Sequence, residues 1–150
     1  ASDTAPGERV DALADQLRQA GLDVTIRDDE TSLLWDKLAL LAPLALLTTY
    51  AAAPVGLVRE QRRADLDAVA AEVAAVAAAE GTRVDVAAIL GMFDLAPAGL
   101  KSSMQRDAEA GRPTELDAIG GAVLRAARRH GIATPVTARL VDGLLTLRAK

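Results

Sequence analysis

Residues 101–135 read KSSMQRDAEAGRPTELDAIGGAVLRAARRHGIATP, a run of helix starts and helix stops. Gly111 and Pro113 break the chain. Thr114 then stands where an N-cap belongs, with Glu115 and Asp117 in a first turn whose partial positive charge favours carboxylates. Asp117, three residues after Thr114, makes a weaker version of the capping box, which prefers Glu or Gln. Leu116, Ile119, Val123, Leu124 and Ala127 recur at helical spacing and predict the buried stripe of a helix over residues 115–130. Gly120 and Gly121 lower helix propensity inside it, so a closely packed neighbour is expected there. His130-Gly131 ends that helix, and Thr134-Pro135 starts the last one as N-cap and first residue.

The rest of the chain has the same character. Hydrophobic residues make up 51% of its 150 positions, enough for one sizeable core, but only Trp35, Tyr50 and Phe93 are aromatic. A core of Ala, Leu and Val favours close helix packing over a large sheet, so the fold is expected to be mostly α. Residues 8–20 place Val10, Leu13 and Leu17 on one helical face, stopped by Gly21. Residues 22–27 alternate as a short strand, with Val24 and Ile26 on one side. One strand cannot satisfy its own backbone, so residues 1–30 read as the last piece of a sheet domain.

Ser32 is the expected cap of a long helix through Leu33, Lys37, Leu40, Leu41 and Leu44, kinked at Pro43. The apolar run over residues 38–47 is too short to span a membrane, and a buried core helix explains it better. Residues 51–60 read as a linker with a turn around Pro54 and Gly56. Residues 64–81 form a clear helix with a Leu66, Val69, Val73, Val76 stripe. A shorter helix starts near Asp85, and another follows Pro97, covering Leu100 and Met104.

A net charge of −4 gives no basic field for nucleic acid, and membrane and nucleic-acid partners are both excluded on this reading. Without cysteine there is no disulfide or thiolate metal site, and no metal site is expected. Arg125, Arg128 and Arg129 complement the end of their helix, and His130 reads as a capping cation rather than a catalyst. Ser102 and Ser103 either bond a local backbone group or aim a hydroxyl at a ligand. Lys37, in the most apolar helix, either snorkels outward or lies in a cleft as an acid–base group; periodicity alone favours the first.

Trp35-x-Lys37, Ser102-Ser103-Met104, Asp107, Gly111-Arg112, Thr114-Glu115-Leu116-Asp117 and His130-Gly131-Ile132-x-Thr134-Pro135 together resemble the C-terminal domain of the ketopantoate reductase (2-dehydropantoate 2-reductase) family. The resemblance implies a helical bundle of the 6-phosphogluconate dehydrogenase C-terminal-like type over residues 31–150. It makes residues 1–30 a helix–strand remnant of a Rossmann-like domain. It implies an NADP-dependent oxidoreductase that reduces a small 2-keto acid on the path to pantothenate. Lys37 would be the catalytic general acid. Ser103 would bind the substrate carboxylate, and Glu115 would contact substrate or cofactor. The missing Rossmann domain would be a partner, and the assembly a cytoplasmic homodimer.

Two departures qualify this. The family places asparagines four and eight residues after the lysine, where this chain has Leu41 and Ala45, so a different 2-keto acid or reduced activity is expected. No G-x-G-x-x-G follows a strand, so NADP is expected only in a complete enzyme and this chain alone is expected to be inactive. The alternative is a non-catalytic dimerisation or ligand-binding module derived from the family, with residues 22–27 pairing across two copies.

Overall fold

The computed structural model describes residues 7–148. Its elements are α1 (Glu8–Gln19), α2 (Glu30–Ala51), α3 (Val55–Gln61), α4 (Arg63–Ala79), α5 (Val86–Leu95) and α6 (Ser103–Glu109). A π-helical turn (Asp117–Gly121) then runs directly into α7 (Ala122–His130), and α8 (Pro135–Arg148) closes the chain. The helical bundle expected from composition is present. Among the described residues there is no strand.

α2 is the central element. It packs against α4 most extensively, and also against α8, α6, α3 and the π-helical turn. Residues 39–48 supply Ala39, Ala42, Pro43, Ala45, Leu46, Leu47 and Thr48 to the interior. α4 answers with the stripe its sequence predicts: Leu66, Val69, Val73 and Val76 are all fully buried. Val123, Leu140, Val141 and Leu144 close the core from α7 and α8. α2 has the length and hydropathy of a membrane span, yet its second half is the centre of this core. The helix continues through Pro43 without interruption.

Several local expectations are corrected. Residues 22–27 have no regular structure, because no described segment offers an edge for them to pair with. The Arg18 guanidinium donates to the Val24 carbonyl at 3.0 Å instead. The α1 stripe forms, but Val10, Leu13 and Leu17 are exposed and only Ala14 is buried. α2 begins two residues before Ser32. Asp29 is its cap, its carboxylate accepting from the Ser32 amide at 2.9 Å, while the Ser32 hydroxyl shares a hydrogen bond with Thr82. The supposed linker over residues 51–60 contains α3. The amides of Val55 and Gly56 donate to the carbonyls of Leu100 and Ala98, which satisfies its first turn. Residues 97–101 are a turn rather than helix, so Leu100 lies outside α6.

The tight neighbour expected at Gly120 is there. A Cβ on Gly120 would lie 2.5 Å from Val141 Cγ2 and 3.1 Å from Leu46 Cδ2. Close approach of α2 and α8 at that point accompanies the local widening to a π turn. Gly131, at φ +66°, ends α7 as the sequence predicts.

α8 starts at Pro135, as Thr134-Pro135 predicts, but its first amides are held by a distant residue. The Glu72 carboxylate, from the middle of α4, accepts from the amides of Val136 and Thr137 at 2.9 and 2.8 Å and from the Thr137 hydroxyl at 2.6 Å. Orphan donors at a helix start are thus satisfied by a side chain 64 residues away.

Candidate functional site

Each signature segment turns one residue in and the next out. On α2, Trp35 is buried while Asp36 and Lys37 are exposed. At the start of α6, Ser102 is buried and fully employed. Its Oγ accepts from the Gln105 amide at 3.0 Å, capping the helix, and shares a 2.7 Å hydrogen bond with the Thr48 hydroxyl on α2. Ser103, the next residue, is exposed. Before the π turn, Leu116 is buried and Glu115 exposed. The Thr114 cap is not formed as expected. Helix starts at Leu116 without a side-chain cap, and the Glu115 carbonyl accepts from the Ile119 amide at 2.9 Å.

Lys37, Ser103 and Glu115 therefore all point to solvent, and none makes a side-chain hydrogen bond or ion pair to another described residue. Lys37 follows the outward, snorkelling arrangement. Leu33 and Leu34 stand exposed one turn before it, and Asp36 beside it is held by Arg27 at 2.7 Å. The two departure positions differ. Leu41 is half-buried one turn on from Lys37, while Ala45 is buried in the core.

Within the chain the three side chains are not brought into contact. The Thr48–Ser102 bond sets the start of α6 level with Thr48, eleven residues along α2 from Lys37. At the helical rise that is about 16 Å along the axis. Each of the three is exposed, and none of them lines the pocket described below.

At the opposite end of α7 lies a charged cluster. Glu80 accepts from Arg129 at 2.7 Å and lies 2.8 Å from the His130 ring. These bonds, from Arg129 first and His130 second, hold the Glu80 carboxyl below the usual glutamate range. His130 thus ties α7 to the end of α4, in keeping with a structural role.

The twin residues also expose what the sequence did not announce. No local pattern marks Thr48, because its partner Ser102 is 54 residues away. The loop broken by Gly111 and Pro113 proves to wall a pocket of about 500 Å³, together with Thr49, Met104, Ala108, Arg112, Thr114, Leu116, Leu144 and Leu147. Ser103 and Glu115 do not line it.

A family model described as "Ketopantoate reductase PanE/ApbA C terminal" matches residues 30–147. The 2-dehydropantoate 2-reductase of Vibrio cholerae is 36% identical over 145 residues, which cover 94% of this chain and 49% of that protein. The crystal structure of 2-dehydropantoate 2-reductase from Methylococcus capsulatus is similar at a TM-score of 0.84 and 30% identity, covering 95% of this chain and 47% of that one. D-mandelate dehydrogenase, solved with NADH and anilino(oxo)acetate, is similar at a TM-score of 0.81 and 25% identity, covering 92% of this chain and 60% of that one. The chain spans about half the length of the curated relatives it matches.

Proposed function

We infer the function from one premise: the chain belongs to the ketopantoate reductase family, as its C-terminal helical domain. We propose that it supplies the substrate side of an NADP-dependent reductase of a small 2-keto acid. The observation that carries this reading is the outward display of Lys37, Ser103 and Glu115, each within two residues of one committed to the fold: Trp35, Ser102 and Leu116. A scaffold that buries one member of each pair and leaves the other unbonded has those side chains available for a ligand.

The described residues do not fit a dinucleotide by themselves. They include no strand followed by a glycine-rich turn and helix, where a pyrophosphate would sit. The hydride that the nicotinamide supplies therefore belongs to a second, Rossmann-like domain, for which residues 1–30 would be the closing piece. The exposed leucines beside Lys37 and along α1 are the surface such a domain would cover. That covering removes water from Lys37, where its ammonium gains electrostatic weight. This chain's own share is then threefold. Lys37 Nζ holds the proton that passes to the keto oxygen as it becomes a hydroxyl. The Ser103 hydroxyl donates to the substrate carboxylate. Glu115 orients the substrate or the cofactor at the domain boundary. A cytoplasmic homodimer accompanies this reading.

Leu41 and Ala45 favour a substrate other than a polar hydroxy acid precursor, since neither side chain can hydrogen-bond it. They also give the non-catalytic module its one supporting observation. The test is an assembly with the dinucleotide-binding domain in place. Lys37→Ala is expected to lower kcat for NADPH-dependent 2-keto acid reduction by about a hundredfold to ten-thousandfold, with the helical circular dichroism unchanged. Wild-type turnover in that variant overturns the assignment, and no turnover in the parent assembly favours the module.

A further inference from the structure

Thr48 and Thr49 are neighbours on α2, and only one of them is bonded. The Thr49 hydroxyl is enclosed and has no hydrogen-bond partner. The Thr48 hydroxyl lies 2.7 Å from the Leu44 carbonyl and 2.7 Å from the Ser102 hydroxyl. A carbonyl can only accept, so Thr48 gives its one proton to Leu44. Ser102 must then donate to Thr48, and Ser102 in turn accepts from the Gln105 amide at 3.0 Å. The bonds run in a single sense, from the Gln105 amide through Ser102 and Thr48 to the Leu44 carbonyl. Each hydroxyl donates once and accepts once, and both residues are shielded from water, Thr48 at 0% and Ser102 at 5% exposure. In such surroundings consecutive hydrogen bonds polarise and strengthen one another.

What this chain of bonds holds is the start of α6. That helix has seven residues, too few to be stable by itself, so its place is set by what it packs on. Met104 and Gln105 face the interior. The other side-chain bonds around it stay local: Lys101 and Gln105 both reach Glu109, and Arg112 reaches Asp107. Among the described residues, Thr48–Ser102 is the one side-chain hydrogen bond that joins the start of α6 to α2, the helix that carries Lys37. Ser103, the first residue of α6, follows Ser102 directly and is exposed. Its side chain therefore leaves the backbone one peptide bond from the anchored residue.

We propose that Thr48 is a positioning residue for Ser103: its bond to Ser102 fixes where the Ser103 hydroxyl stands relative to Lys37. Thr48 is itself enclosed and touches no ligand. The proposal rests on the reading of Ser103 as the donor to the substrate carboxylate. That carboxylate keeps its charge throughout the reduction, so the contact is equally strong in the bound substrate and in the transition state. Its loss raises KM and leaves kcat in place.

The test uses the assembly with the dinucleotide-binding domain, NADPH, and whichever of 2-dehydropantoate and 3-methyl-2-oxobutanoate the parent reduces faster. Ser103→Ala is expected to raise KM about tenfold, the size of one hydrogen bond to a charged group. Thr48→Val is expected to raise KM by about the same factor, with kcat within about twofold of the parent. In the Ser103→Ala background Thr48→Val is expected to add nothing to KM, because the group it positions is gone. Thr48→Ser returns the hydroxyl and is expected to return KM to the parent value. Ser102→Gly cuts the same link without stranding a buried proton, since Thr48 keeps Leu44 and glycine is a tolerated cap; KM is expected to rise as in Thr48→Val. Thr49→Val, one residue on and with no bond to lose, is expected to change neither constant. The proposal alone is overturned if Ser103→Ala raises KM while Thr48→Val and Ser102→Gly keep the parent value, or if the effects of Thr48→Val and Ser103→Ala on KM multiply. A parent that reduces neither acid, or a Ser103→Ala variant with the parent KM, overturns the reading of Ser103 and this proposal together.

Discussion

The two halves of α2 both carry leucines but differ in circumstance: residues 30–38 mix them with Glu30, Asp36 and Lys37, while residues 39–48 carry no charge. In residues 39–48 seven of the ten residues are buried, in a helix packed against α3, α4, α6 and α8. In residues 30–38, Leu33 and Leu34 remain about half exposed, and Lys37 stands out beside them. One half has its partners within this chain; the other displays leucine where a stable surface has no use for it. The difference teaches where the chain is self-sufficient and where it offers a contact. Lys37 lies on the second kind of surface.

That contrast can be broken most directly by paired truncations. Leu47→Ala, at a fully enclosed position, is expected to cost about 2–5 kcal/mol in chemical denaturation. Leu34→Ala, more than half exposed, is expected to stay within about 0.5 kcal/mol. Equal losses would show that residues 30–38 are enclosed after all. Next in size is Glu72→Gln. It removes the charge from three hydrogen bonds that seat α8 on α4, and the expected loss is about 1–3 kcal/mol.

The smallest effect concerns Glu80. Its carboxyl is held below the ordinary value of 4.5 by Arg129 and His130, so the folded state prefers it ionised. That contribution is complete above the unfolded value and is lost as pH falls from about 4.5 through the lowered folded value. Glu80→Gln is therefore expected to flatten the acid limb of a Tm-against-pH curve and leave the neutral plateau almost unchanged. An unaltered acid limb would remove Glu80 from the account.

The legible part of the fold was what repeats along the chain. The α4 stripe, the Asp85 cap of α5, the Gly131 stop and the tight packing at Gly120 all follow from residues within a turn or two of one another. Illegible features depend on distant partners. Ser32 looked like a cap because nothing nearby reveals that its hydroxyl goes to Thr82, 50 residues on. α3 carries no local signal because its first amides are satisfied by the loop at residues 98–100 rather than by a local cap. Residues 22–27 carry a strand's alternation, but alternation specifies a strand only where an edge exists to receive it. At the candidate site, the pairings Ser102–Ser103 and Trp35-x-Lys37 marked the right segments. Only the three-dimensional contact with Thr48 shows which serine is spent on the fold.

The grip of Glu72 on the start of α8 also bears on how the domain breathes. The first amides of a helix ordinarily exchange with solvent deuterium as fast as a loop, since nothing inside the helix holds them. Here the amides of Val136 and Thr137 close onto a carboxylate in the middle of α4. Their exchange requires α8 to lift away from α4, so the protection of those two amides would report on the opening of the whole helix pair instead of on fraying at a helix end.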